Sequence, residues 1–337
     1  MHIEENFSLK RYNTFGIEAK AALFASVESI DELKEVLNKF PEATPFILGG
    51  GSNMLLTQDL NKLVIHINLK GISIASETED KVCIQAAAGE NWHEFVLWTI
   101  AHNYGGLQNM SLIPGNVGTT PIQNIGAYGA EIKNSMVSCE ALEIATGNIV
   151  VFTNEACKFG YRESIFKNEV KDQYIILNVT FELTKTNHKI NTSYGAIEEE
   201  LARQNISNPN LREVSDAVIA IRQSKLPDPK VLGNSGSFYK NPIIPRIQYE
   251  EALKKNPNIP HYNVSETEVK VPAGWLIEQS GFKGKRFGEA GVHDKQALVL
   301  VNYGGATGAE MVDLSKHIQE TVFQNFGIHI EAEVNII

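Results

Sequence analysis

The sequence predicts an α+β protein built from more than one packed domain, and three observations predict it. The chain has 337 residues, against about 150 for a typical domain. Its composition, 43% hydrophobic and 21% charged, is globular rather than disordered or coiled-coil. Helical and strand periodicities alternate along the first third, with several short strands.

Taken in order, Ser29-Ile30-Asp31-Glu32 reads as a capping box, and Ile30, Leu33, Val36, Leu37 and Phe40 follow at helical spacing until Pro41 stops them. Residues 45–48 are a buried-strand candidate that runs straight into Gly49-Gly50-Gly51, and 64–67 and 82–85 are further strands. Asn91 with Glu94 caps a second helix carrying Trp92, Phe95, Val96 and Ile100. Between residues 107 and 129 no periodicity survives: Gly115, Gly118, Gly126 and Gly129 mix with Pro114, Pro121, Asn116, Gln123 and Asn124. So long an irregular stretch inside a domain is functional or disordered. Its apolar members, Leu112, Ile113, Val117, Ile122 and Ile125, argue against disorder. Strands resume at 141–145, 149–152 and 174–183.

The polar run 185–189 marks a boundary, and Leu226-Pro227-Asp228-Pro229 breaks a helix and opens a second unit. That unit closes on the capping box Thr307-Gly308-Ala309-Glu310, a helix with Met311, Leu314, Ile318 and Val322 on one face, and Gly327 as its stop. Residues 328–337 alternate apolar and polar strictly enough to be a strand.

Composition narrows the function. Forty acidic against thirty basic side chains give a formal charge of −10, which disfavours a duplex nucleic-acid binder. It leaves room for a small anionic ligand held by local cations. Cys83, Cys139 and Cys157 lack CxxC spacing, so neither a disulfide framework nor a thiolate zinc site is expected, and a reducing cytoplasm fits. No basic segment precedes an apolar one at the start, and no apolar run reaches about 18 residues, so neither export nor a membrane span is expected. His93-Glu94 lacks the second histidine of a zinc-protease helix, and no metal site is predicted.

Gly49-Gly50-Gly51-Ser52-Asn53 follows a strand, where backbone N–H groups can approach a phosphate. It is neither a dinucleotide fingerprint, since the third glycine position is Met54, nor a P-loop. Alone it reads equally as a tight turn. Pro114-Gly115-Asn116-Val117-Gly118-Thr119-Thr120 adds a second backbone-exposing loop. Two such loops could hold a pyrophosphate and a ring system between them.

With Asn13-Thr14-Phe15-Gly16, Gln123 through Gly129, Tyr161 through Lys167 and Gly233 through Pro242, these segments resemble the UDP-N-acetylenolpyruvoylglucosamine reductase family, in family order from Asn13 to Glu333. The resemblance implies a two-subdomain FAD-binding fold of the PCMH or vanillyl-alcohol-oxidase type plus a smaller α+β substrate-binding domain. By it, residues 1–190 form the FAD domain, with subdomains of about 1–68 and 69–190 and the strand 328–337 returning to it. Residues 191–225 form a connection with a tyrosine loop and helix, and 226–327 the substrate domain. It also implies non-covalent FAD, NADPH as reductant, and reduction of an enolpyruvyl ether on a UDP-sugar in peptidoglycan and cell-wall synthesis, by a cytoplasmic protein, a monomer being favoured.

The implied flavin contacts are Gly49, Gly50, Gly51, Ser52, Asn53, Met54, Pro114, Gly115, Val117, Gly118, Ile122, Gln123, Ile125 and Gly126. The implied chemistry needs a hydride at C3, charge stabilisation at the enolate and a proton at C2. Arg162, Ser237 and Glu333 occupy those roles in the resemblance. On residue type alone the favoured readings are a surface arginine beside Glu163 for Arg162 and a solvated-face carboxylate for Glu333, and Ser237 can be part of an ordinary turn; the motif resemblance is what reverses this for Arg162. Tyr161, Tyr194, Lys225 and Asn241 are the substrate-binding candidates, with Arg222 and Lys283 behind them. Cations at 222 and 225 also suit a helix C-terminus with no ligand. A different flavin oxidoreductase and a non-catalytic nucleotide-sugar binding module are the alternatives, and neither needs all of Arg162, Ser237 and Glu333.

Overall fold

The computed structural model describes residues 2–337. The chain divides into two compact units: one holds the chain up to Phe7, Ala21–Gly50 and Leu60–Arg222, and the other Ser8–Lys20, Gly51–Asp59 and Gln223–Ile337.

Two larger sheets frame the first unit. In one, strands Lys20–Val27 and Phe46–Leu48 both pair parallel with Leu60–Ile67, with Ala25 and Ile47 opposite Ile65. The helix Ile30–Lys39 is the crossover from 20–27 to 46–48, which flank 60–67 in the sheet, and its Ser29 hydroxyl accepts the Glu32 N–H. The Glu32 carboxylate reaches back to the Glu28 N–H at 2.8 Å. Leu33 and Val36 bury against Ala25, Val27, Leu63 and Ile65, and Leu142, Ile175 and Leu177 of the second sheet join the same core.

That second sheet is antiparallel, ordered Ile149–Thr153, Met136–Glu143, Tyr174–Thr184, Lys81–Ala87 and Ile72–Glu77. Strand 81–87 alternates buried and half-exposed residues, as a sheet with one covered face should. The cover is the helix Trp92–Ala101, capped by Asn91, which places Trp92, Phe95, Val96 and Ile100 on Ile84, Phe181 and Leu183. The irregular stretch 107–129 is ordered: Leu107, Met110, Val117 and Ile125 bury in this core. Trp92 Nε1–H donates to the Met110 carbonyl at 3.0 Å.

The second unit has an antiparallel sheet ordered Gly233–Ser237, Val299–Asn302, Ala290–Val292 and Arg286–Phe287. The helix Gly308–Phe326 follows, with the full capping box at Thr307 and Glu310 and left-handed Gly327 (φ 68°) at its end. Residues 8–20 join this unit through buried Asn13, whose Nδ2 donates to the Leu9 and Ile17 carbonyls and whose Oδ1 accepts the Ile17 N–H. The Thr14 carbonyl accepts the Asn234 N–H and the Phe15 carbonyl accepts Asn302 Nδ2.

The expected strand 328–337 is much shorter in the structure. Only Asn335–Ile336 is a strand, paired parallel with Met54–Leu55. Upstream, the chain meets residues 238–240 through a single bridge, Tyr239 to Ala332, so no continuous ladder forms. The apolar alternation runs on to Ile336, but burial stops at Val334, and Ile336 is 48% exposed.

Replacing Asn13 with Ala strands the Ile17 N–H and carbonyl and takes one of two donors from the Leu9 carbonyl, which keeps the Tyr12 N–H. It is expected to lower unfolding stability by roughly 2–3 kcal/mol in urea titrations, and a loss under about 0.5 kcal/mol would contradict this accounting.

Candidate active site

In the first unit the two glycine loops touch. A Cβ on Gly50 would lie 2.8 Å from Gly115 Cα and 2.9 Å from Asn116 Oδ1. Only glycine permits that approach. The second loop is bolted to the segment before the helix: Trp92 N–H donates to Gly115 O, Val117 N–H to Glu90 O and Gly118 N–H to Ala88 O. A Cβ on Gly118 would meet Ala88 Cβ at 2.5 Å, so that glycine serves packing. Among the described residues, the N–H groups of Gly49, Gly50, Gly115 and Asn116 are given to no other group of the chain. A cluster of uncommitted N–H donors on close-packed turns is suited to an anion such as a diphosphate.

Beyond this cradle, residues 122–126 receive the Arg162 side chain. Gly160 and Glu163 close a tight turn, and Arg162 sits in it with φ 57°. Its Nη2 donates to Gly126 O at 2.9 Å and its Nη1 to Asn124 O at 3.5 Å. The guanidinium lies 5.6 Å from the Tyr161 ring. Asn124 ties the two segments together, donating from Nδ2 to Gly160 O and accepting the Lys133 N–H. Ser164 Oγ–H donates to Ile122 O at 2.6 Å.

Leu112, Asn124, Tyr128 and Arg162 all hold left-handed backbone, with φ of 59°, 48°, 49° and 57°. Such conformations cost about 1 kcal/mol or more each in side-chain-bearing residues and persist where the surroundings over-determine them. Two of them give their carbonyls to arginines, Asn124 to Arg162 and Leu112 to Arg222, which marks a constrained stretch.

A second arginine belongs to the same unit. Arg222, near the end of the helix Leu211–Lys225, donates from Nε to the Leu112 carbonyl at 3.2 Å. Burial works against its charge, the Tyr128 phenol acts for it, and Arg162 repels it. Tyr128 stacks edge-on with Tyr194 at 5.3 Å, and burial pushes the Tyr128 phenol above its usual pKa. Tyr128 stands inside the 123–129 segment, where no neighbour in sequence points to its partners Tyr194 and Arg222.

In the second unit, Glu333 and the Ser237 segment are neighbours. Glu333 is half-buried, and its N–H donates to Phe238 O at 2.8 Å. Its carbonyl accepts Asn53 Nδ2 at 3.4 Å, and Asn53 O accepts Asn335 Nδ2, so the 51–54 run lies beside Glu333. Ser237 is exposed where the ladder register slips after Asn234. Gly236 turns there with φ 71° and gives its N–H to Asn234 Oδ1. Asn241 spends Oδ1 on the Ala273 N–H, leaving its amide N–H groups for other uses. Lys225 is exposed, whereas Lys283 is paired with Glu278 at 2.9 Å. Among the described residues no cluster of His, Cys, Asp or Glu could hold a metal, and no helix is long and apolar enough to cross a membrane.

Comparison with known proteins adds the following. Residues 228–337 match the family model for the UDP-N-acetylenolpyruvoylglucosamine reductase C-terminal domain, and residues 21–153 that for an FAD binding domain. The chain is 67% identical to the UDP-N-acetylenolpyruvoylglucosamine reductase of Flavobacterium johnsoniae, over 100% of both chains. It is 48% identical to the protein of that name from Amoebophilus asiaticus, again over 100% of both. Its fold is similar to the crystal structure of UDP-N-acetylenolpyruvylglucosamine reductase (MurB) from Thermus caldophilus, with a TM-score of 0.70 at 23% identity over 100% of this chain and 99% of that one. The expected α+β class with an FAD-binding domain is therefore found, and the N–H cradle fits the diphosphate of that cofactor.

Gly50→Ala places a methyl against Gly115 and is expected to yield protein that loses FAD on dialysis, read as the ratio of flavin to protein absorbance. Full flavin retention would show that the loops need not touch.

Proposed function

The chain belongs to the UDP-N-acetylenolpyruvoylglucosamine reductase family, and we propose that Arg162, Ser237 and Glu333 carry its chemistry. The reaction is the FAD-dependent reduction of UDP-N-acetylenolpyruvoylglucosamine in peptidoglycan synthesis, with NADPH as reductant. Bound flavin supplies the hydride to C3 of the enolpyruvyl group.

Negative charge then develops at C2 and spreads into the carboxylate, so the barrier falls most where fixed positive charge meets that carboxylate. Arg162 is the residue proposed for it. The observation that carries this reading is the strained turn at Arg162, with its guanidinium held by the Gly126 and Asn124 carbonyls. Those two carbonyls orient the fork, whose planar shape suits a carboxylate.

Ser237 delivers the proton to C2 in this proposal. A serine hydroxyl is a weak acid and works only in reach of a strong base, which the enolate is. Its exposed position at the break in the ladder, beside left-handed Gly236, supports the assignment. Glu333 is assigned to polarising the enol carboxylate and relaying the proton, on the strength of its backbone bond to Phe238, the residue after Ser237.

For the UDP moiety, Tyr161, Tyr194, Lys225 and the free amide side of Asn241 are the proposed contacts, with Arg222 a second anion-binding cation. Lys283 is the weaker candidate, because Glu278 already neutralises it. The proposal includes a monomer acting in the cytoplasm. Cys83, Cys139 and Cys157 are free thiols, which supports that location.

Ser237→Ala tests the proposal. Flavin reduction by NADPH should keep its rate, while reoxidation of the reduced flavin by the UDP-sugar slows by about two to four orders of magnitude. Equal slowing of both half-reactions in stopped-flow traces would remove Ser237 from proton transfer.

A further inference from the structure

We propose that His93 is a positioning residue for Arg222, acting through the peptide group of Leu112. Both faces of that peptide residue are clamped by side chains. The Leu112 N–H donates to His93 Nδ1 at 2.9 Å, and the Leu112 carbonyl accepts Arg222 Nε at 3.2 Å. Between the two bonds, Leu112 holds φ 59°, a conformation a branched side chain does not adopt without support.

The imidazole is itself fixed. His93 lies in the first turn of the helix Trp92–Ala101, where Asn91 Oδ1 accepts the Glu94 N–H and Trp92 N–H donates to Gly115 O. The ring therefore presents Nδ1 to the loop from a rigid element. Because Nδ1 accepts, it carries no proton, and a neutral ring holds its proton on Nε2.

This arrangement works only while the ring is neutral. Burial and the Arg222 charge lower the His93 pKa, and Glu94 opposes them. Those are the charged groups that face it, and their balance favours the neutral ring, so its proton is gained at lower pH than for an ordinary histidine. The sign follows. Above the lowered pKa the acceptor is present and Leu112 stays clamped. As pH falls through it, Nδ1 gains a proton, the Leu112 N–H loses its partner, and the carbonyl that orients Arg222 loses its support.

The inference rests on the reading that Arg222 helps bind the anionic substrate, and the test separates the two. In FAD-loaded enzyme, the KM for UDP-N-acetylenolpyruvoylglucosamine should rise about tenfold on acidification through the His93 titration, the cost of about one hydrogen bond, with kcat changing less. His93→Asn places Oδ1 near the Nδ1 position and does not titrate. It should keep the neutral-pH KM and lose the acid rise. His93→Leu should show the raised KM at every pH, with kcat again changing less.

An acid rise that persists in His93→Asn, or a normal KM in His93→Leu, would overturn the proposal. Nitrogen NMR of histidine-labelled holoenzyme gives a readout independent of activity. His93 should show unprotonated Nδ1 and protonated Nε2, and Arg222→Ala should raise its pKa. A protonated Nδ1 at neutral pH, or a pKa indifferent to Arg222, would also overturn it. If that titration behaves as expected while Arg222→Ala leaves KM unchanged, the substrate role of Arg222 fails and the His93–Leu112 clamp stands.

Discussion

The site in the first unit depends on one constraint: main chain with no repeating ladder must be held still by individual side-chain bonds. Residues 107–129 carry the cradle, the carbonyls that receive Arg162 and the peptide that receives Arg222. Nothing periodic orders them. Trp92 holds Met110, Asn109 reaches the Tyr128 and Asn191 carbonyls, and Asn124 fastens Gly160. Each bond is worth about 1 kcal/mol, yet together they sustain four left-handed, side-chain-bearing residues at one place. Fixed geometry of this kind is what charge stabilisation requires, because donors that must reorganise during the reaction lose most of their advantage.

Electrostatics divides accordingly. The chain carries a formal charge of −10, and many of its basic side chains meet carboxylates at the surface, as Lys158 meets Glu169 with both more than half exposed. Such pairs contribute little. Arg162 and Arg222 each also donate to main-chain carbonyls, and Arg222 feels Arg162 as a repulsive neighbour. Burial and the neighbouring Arg162 both work against the Arg222 charge, a cost that a bound anion would offset.

How much of this the amino-acid order revealed depended on the range of the interaction. The caps at Ser29, Asn91 and Thr307 were legible because donor and acceptor lie three residues apart. Strands 81–87 and 174–184 were legible from alternation with one buried face. The terminal segment misled because its apolar alternation continues beyond the bridge at Ala332, where the ladder does not. Gly118 stood out as a loop glycine, but the reason for it, the Ala88 side chain, lies thirty residues away. His93 gave no signal beyond an incomplete metal motif, since its partner is a main-chain N–H nineteen positions on. The roles of Arg162, Ser237 and Glu333 came from motif resemblance rather than pattern, and long-range placement explains why: their supports are residues 124, 126, 234, 238 and 53.

In the proposed mechanism the clamped Arg162 guanidinium stabilises charge that exists only during hydride addition. The direct measurement is single-turnover reoxidation of pre-reduced Arg162→Lys enzyme by UDP-N-acetylenolpyruvoylglucosamine across a range of substrate concentrations. The account predicts a limiting rate lower by about a hundredfold or more, with the substrate dissociation constant changed far less. A normal limiting rate with weakened binding would reduce Arg162 to a substrate anchor and contradict it.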